Sequence, residues 1–144
     1  MGIEDIVLDA SAIVALVAKE KYGDWIDKHL KKYFRFHVLD LTAYEAMNAI
    51  NDYRLRGEIS RDKYYAINKQ IAEFLSDCKR HPYDEIIDPA LEITADAGIA
   101  LYDSAYLALA DKLGCRLLTV DINLYNRLEK SKELRELLMA PEHE

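Results

Sequence analysis

The sequence predicts an α/β fold built on a parallel sheet. Three observations carry that expectation. The run Ile6-Val7-Leu8 is short, apolar and β-branched, as strands buried on both faces are. Helix-length segments separate this run from the later strand-like ones, the pattern of strand–helix–strand units with crossover connections. Only 5 Gly and 3 Pro among 144 residues leave little room for a turn-rich all-β sandwich.

The elements follow in order. Ile3 to Leu8 is the first strand, and Asp9-Ala10-Ser11 breaks it to cap a helix over Ala12 to Glu20. Lys21 to Tyr33 is a second amphipathic helix, with Trp25, Ile26, Leu30 and Tyr33 at helical spacing. Arg35 to Leu41 is the second strand. Thr42 to Arg56 is a helix closed by Gly57, and Ser60 caps the next, which runs to about Asp77. After the break at His81-Pro82, Tyr83 to Ile87 reads as a third strand, and Pro89 suits the first turn of a helix ending near Gly98. Leu101 to Leu113 is a helix stopped by Gly114, and Cys115 to Val120 is the fourth strand. Asn123 to Leu138 reads as helical, with room for a short last strand within Leu134 to Met139. The whole, 1–144, is expected to be a single domain with 42–77 as a helical hairpin, an insertion or a lid. The segment 129–144 is the part whose structure the sequence leaves most open.

Composition bounds the function. With 51% hydrophobic and 31% charged residues, the chain is neither a disordered tail nor a low-complexity linker. The charge sum, 19 basic minus 26 acidic, is −7, so no overall basic field draws it to nucleic acid. Cys78 and Cys115 stand far apart and the four histidines are scattered, which argues against a zinc site. Both thiols read as core residues in a reducing cytoplasm. The apolar stretch Ala12 to Ala18 is too short to span a bilayer and follows acids rather than a basic leader.

In parallel sheets ligands bind beyond the carboxyl ends of the strands, so those ends carry the functional question. Two strand-like runs stop at an aspartate, Val7-Leu8-Asp9 and Leu118-Thr119-Val120-Asp121. Asp103 lies near the start of a helix, and Glu45 lies in the first turn of the helix after the second strand. Each has a structural explanation of its own. Asp9 can cap its helix, Thr42 to Glu45 has capping-box spacing, Asp103 can face a helix dipole, and Asp121 can turn the chain. Taken together, four carboxylates in one cleft repel one another unless cations bind or their pKa values rise. Oxygen-only ligands match Mg²⁺ or Mn²⁺.

The stretches Val7-Leu8-Asp9-Ala10-Ser11-Ala12, Ala43-Tyr44-Glu45, Leu101 to Ala110 (LYDSAYLALA) and Leu117 to Asp121 resemble the PIN domain. They are most similar to its VapC-type ribonuclease toxins. The resemblance runs from about Ile3 to Leu128, and Tyr-Asp-x-x-Tyr-x-x-Leu-Ala is its most specific piece. It implies a three-layer α/β/α fold with a central parallel sheet of four or five strands. The implied activity is hydrolysis of RNA phosphodiester bonds by an endoribonuclease that uses one or two Mg²⁺ or Mn²⁺ ions. The metal-binding acids carry over onto Asp9, Glu45, Asp103 and Asp121, with supporting hydroxyls on Ser11 and Thr119. Some relatives carry a further acid just after the last aspartate, where this chain has Ile122 and Asn123. The family further implies a small cognate antitoxin, a homodimer, a cytoplasmic location and no membrane.

Charge enters locally. Lys19, Lys21, Lys28, Lys31, Lys32 and Arg35 cluster early, and Arg54, Arg56, Arg61 and Lys63 follow in the hairpin, where either group can meet phosphate. Arg54 and Arg56 are also candidates to grip an acidic antitoxin tail. Ile50, Tyr53, Tyr64 and Ile67 suggest a docking surface on the same hairpin. Two alternatives stand beside the nuclease. One is a PIN-shaped interaction module without catalysis. The other is a Mg²⁺-binding signalling receiver domain, disfavoured because Ala10 follows Asp9 and the late strand ends in Asp121 rather than Lys.

Overall fold

The computed structural model describes residues 4–141. Ile3, at the start of the expected first strand, and the last three positions of the C-terminal segment lie outside them.

Five strands form one all-parallel sheet in the order β3-β2-β1-β4-β5: β1 (Asp5–Leu8), β2 (Arg35–Leu39), β3 (Lys79–His81), β4 (Arg116–Leu118) and β5 (Leu138–Met139). The chain steps outward from β1 to β3, then returns to place β4 on the other side of β1. The strand order therefore reverses between β1 and β4, where a parallel sheet opens a crevice at its carboxyl edge.

The pleat sends alternate residues of β1 into two cores. Ile6 and Leu8 join Ile13, Ile26, Ala46, Ile50 and Ile71 on one face, drawn from α1 (Ala10–Val17), α2 (Gly23–Leu30), α3 (Thr42–Leu55) and α4 (Arg61–Ser76). Val7 and Leu117 of β4 join Ile86, Leu107 and Leu124 on the other, these three drawn from α5 (Tyr83–Ala97), α6 (Leu101–Leu113) and α7 (Ile122–Arg127). This is a three-layer α/β/α arrangement. The α3–α4 hairpin is part of its wall: Ile50 and Ile71 are fully buried, and Tyr53, Tyr64 and Ile67 pack partly buried against the same core. Gly23 lets α2 approach α1, because a Cβ there would stand 2.6 Å from the Ala15 carbonyl oxygen.

The third strand differs from the sequence expectation. It is Lys79–His81, and Tyr83–Ala97 is a helix that begins well before Pro89 and runs through it. Extended Pro82 starts that helix, Asp84 and Glu85 complement its N-terminal dipole, and Ile86 and Ala90 bury one face. The C-terminal stretch is likewise broken up, into α7, α8 (Lys132–Glu136) and the edge strand β5. Helix α1 starts two residues earlier than expected and ends at Val17. No helix among the described residues is long and apolar enough to cross a membrane, and both cysteines are free.

Candidate active site

Asp9 and Asp121 leave the two strands that flank the reversal, and each caps the helix it begins. Asp9 Oδ1 accepts from Ala12 N at 3.0 Å, and Asp121 Oδ1 accepts from Leu124 N at 3.2 Å. Capping does not exhaust Asp9. Ser11 Oγ donates to its Oδ1 at 2.6 Å and Thr119 Oγ1 donates to its Oδ2. Three of roughly four lone-pair directions are thus taken, which fixes the carboxylate and leaves room for one more partner. The two hydroxyls also tie the strand ends together, since Ser11 Oγ accepts from Val120 N at 3.2 Å and Thr119 Oγ1 from Asp121 N at 3.0 Å.

Glu45 departs from its capping-box reading. No side chain caps the start of α3, and Glu45 Oε1 instead accepts from the Tyr106 hydroxyl at 2.7 Å. Tyr106 is 2% exposed, and its oxygen lies 2.8 Å from Thr42 Oγ1. Asp103, on the first turn of α6, faces Arg127 Nη1 at 3.5 Å.

The four carboxylates act on one another electrostatically. Burial pushes Asp9 up to about 6 against its three hydrogen bonds, and the charge of Asp121 adds to the rise. Burial raises Asp103, again with help from Asp121 and against the attraction of Arg127. Burial raises Glu45 too, opposed by the Tyr106 hydroxyl and aided by Asp103. Among the described residues no group of three or more His, Cys, Asp or Glu side chains is arranged to hold a metal ion. The donors are all oxygen, and with Asp9, Asp103 and Glu45 raised their chemistry suits a hard cation that keeps most of its waters. Mg²⁺ keeps several waters and takes one or two carboxylates directly, whereas a dehydrated cage is what a structural zinc would need.

The cleft continues past Ser11 and Glu45 into a cavity of about 420 Å³ lined by Glu20, Asp52, Tyr53 and Arg56. Arg56 is forked onto Glu58 and lies over the Tyr53 ring. Arg54 sits apart, bonded to Asn51 and over Tyr64, in a hollow shared with Arg61 and Tyr65. Of the early basic cluster, Lys31 pairs with Asp27 and Arg35 with Glu4 and Asp5. Sequence reasoning missed Tyr106 as the support of Glu45 and Arg127 as the counter-charge of Asp103. The first had a signal in the Tyr-Asp-x-x-Tyr segment, three residues past Asp103; the second had none.

The sequence signature of the PIN domain matches residues 6–130. The chain belongs to the PIN domain family. Membership sets aside the receiver-domain alternative. Ribonuclease VapC3 of Pyrobaculum aerophilum is 35% identical over 119 residues, covering 83% of this chain and 91% of that protein. Exonuclease VapC9 of the same organism is 30% identical over 135 residues, covering 94% of each. A chain of a toxin–antitoxin complex from Klebsiella pneumoniae shares the PIN fold with a TM-score of 0.67 at 13% identity, over 93% of this chain and 95% of that one.

Proposed function

We propose that this PIN-domain protein is a divalent-cation-dependent endoribonuclease, the toxin of a toxin–antitoxin pair. The observation that carries the reading is the chain of coupled carboxylates at the β1/β4 reversal, from Asp9 through Asp121 and Asp103 to Glu45. The similarity to ribonuclease VapC3 and exonuclease VapC9 supports the reaction class, and the complex from Klebsiella pneumoniae supports an antitoxin partner. On this reading the protein acts in the cytoplasm and pairs with a second copy.

Asp9, Asp103, Asp121 and Glu45 would hold one or two Mg²⁺ or Mn²⁺ ions. When bound, such an ion neutralises charge at a phosphodiester and acidifies nearby water. The protein's own groups do the positioning. Ser11 and Thr119 fix the Asp9 carboxylate, and Asp121 is held at the head of α7 by its cap. Arg127 offsets part of the charge beside Asp103. Glu45 Oε1 is engaged by Tyr106, so Glu45 Oε2 would take the proton of the water that adds to phosphorus, while the P–O bond to the ribose opens and the departing ribose oxygen takes a proton from solvent.

The test uses a circular and a linear RNA with Mg²⁺, with and without chelator. The wild-type chain is expected to cut both, the circle showing internal cleavage, and chelation should stop it. Asp9→Asn keeps a cap for α1 but loses ligand charge, and cleavage should fall to background with the fold intact. Wild-type rates in Asp9→Asn would remove the site assignment, and cutting of the linear RNA alone would replace internal cleavage with end-trimming.

A further inference from the structure

This acidic chain gathers four cations around a single hollow. Lys32, Arg116, Lys132 and Arg135 line a cavity of about 430 Å³ around the edge strand β5, with Tyr125 beside them and Glu136 as the one acid in its wall. Three cations elsewhere are paired with acids: Lys31 with Asp27 at 3.2 Å, Arg56 with Glu58 at 3.2 Å and Lys112 with Glu85 at 3.4 Å. Among the described residues, the four cations of the hollow pair with no carboxylate. In a molecule of net charge −7 with so many acids to choose from, that concentrates a local positive field.

Arg135 is posed in advance. Its Nε donates to the Tyr125 carbonyl at 3.2 Å, and its guanidinium lies 3.8 Å from the centre of the Tyr125 ring. The terminal nitrogens make no bond among the described residues and keep their fork for an outside acceptor. Arg135 thereby covers one face of the Tyr125 ring. Four cations in one wall favour contacts to phosphate, which carry no sequence information.

Its position relates it to the carboxylates. Arg116 opens β4 and Asp121 follows its far end, five residues or about 16 Å away along extended chain. Helix α7 starts at Asp121 and carries Tyr125 one turn on, into the wall of the hollow. We propose that this hollow holds backbone phosphates of the RNA strand a few nucleotides from the scissile bond. The inference rests on the nuclease reading above and supplies the phosphate contacts that the net charge withholds.

The test is binding, so it does not depend on turnover. A short fluorescein-labelled single-stranded RNA is titrated with the protein in chelator across a salt series, read by anisotropy. The variant Lys32→Gln/Arg116→Gln/Lys132→Gln is compared with wild type and with the exposed control Lys69→Gln, each checked for folding by circular dichroism. The triple variant should bind at least about tenfold more weakly at low salt, with the slope of log K against log salt reduced by about 0.7 per lost contact. The control should match wild type. Equal affinity and slope in the triple variant and wild type would overturn the proposal. So would displacement of the RNA by inorganic phosphate or adenosine monophosphate at the concentration of RNA itself, which would make the hollow a small-ligand site. A chain ending at Pro141 tests whether the acids Glu142 and Glu144 are the true occupant, which they are if RNA binds only after their removal. A dinucleotide too short to span the two sites separates the hypotheses: the triple variant should cut it in Mg²⁺ as wild type does. If wild type cuts nothing, the nuclease reading falls while the titration still reports on the hollow.

Discussion

Tyr106 joins two side chains that sequence places apart from it. Leu39 N donates to Thr42 Oγ1 at 3.0 Å, and because the Tyr106 hydroxyl donates to Glu45, Thr42 must donate to Tyr106. The four groups form a one-way chain of hydrogen bonds ending on a carboxylate, in which each bond polarises the next. Burial, with the charge of Glu45, pushes the Tyr106 phenol up and keeps it a donor. Thr42 and Glu45 stand at capping-box spacing and do cooperate, but through a residue from another helix, which no local pattern could reveal. Asp9 and Asp121 were legible for the opposite reason: an acid that ends a strand and begins a helix sits at the carboxyl edge in any parallel sheet. The Tyr106→Phe variant should fold and cost about 1–2 kcal/mol, since the buried Thr42 hydroxyl loses its acceptor. Freed of its donor, Glu45 should hold Mn²⁺ about tenfold less tightly, by the usual cost of losing an orienting group behind a ligand. Calorimetric titration of Mn²⁺ reads this, and unchanged affinity would detach Glu45 from the ion.

At the scale of elements, a buried polar row crosses the sheet below the carboxylates. Asp5 on β1 accepts from His37 on β2 at 2.7 Å, His37 Nδ1 meets His81 Nε2 on β3 at 2.9 Å, and His81 Nδ1 meets Glu85 on α5 at 2.6 Å. Arg35 and Lys112 close the two ends. The row exists only because the parallel register brings β1, β2 and β3 side by side, so sequence reasoning did not find it. The same gap explains the misplaced third strand. Lys79-Arg80-His81 has no apolar signature and is a strand through its pairing with β2, whereas the β-branched Ile86-Ile87 imitates one within a helix. Removing the centre of the row, His37→Leu, should cost about 2–4 kcal/mol by leaving Asp5 and His81 under-bonded. Its effect should couple strongly to His81→Leu in a double-mutant cycle. The row also sets an acid limit. The Arg35 hydrogen bond, with His37 and against burial, holds Asp5 down at about 2. Burial works against the Glu85 charge, but His81 and Lys112 outweigh it and keep that carboxyl low. Both groups are depressed on folding, so their contribution is complete above the ordinary values of 3.8 and 4.5 and drains as pH falls below them, for Asp5 towards 2. Urea midpoints across that window should fall more steeply for wild type than for Asp5→Asn/Glu85→Gln. Parallel curves would show that the row carries no acid sensitivity.

Across the whole molecule, charge is sorted by position. Asp9, Asp121, Asp103 and Glu45 gather at the carboxyl edge, while Lys32, Arg116, Lys132 and Arg135, distant in sequence, meet at the β5 edge. A net charge of −7 hides that division, which is why the sequence could offer local basic clusters but not this hollow. The acidic edge has a thermodynamic consequence. Burial raises Asp9, Asp103 and Glu45, so holding them ionised near neutral pH costs the cation-free chain stability. A cation that binds only the folded chain should return that stability and more. At a hundredfold excess over its dissociation constant, Mn²⁺ should add about 2.7 kcal/mol, and for a chain of this size raise the melting temperature by roughly 5–10 °C. Chelator should reverse the gain. Asp9→Asn should melt at or above the cation-free wild type, because one repelling charge is gone, and should lose most of the Mn²⁺ response. If scanning calorimetry shows the same Mn²⁺ shift in Asp9→Asn and wild type, the ion binds elsewhere, and the coupling among these carboxylates reflects helix capping and burial alone.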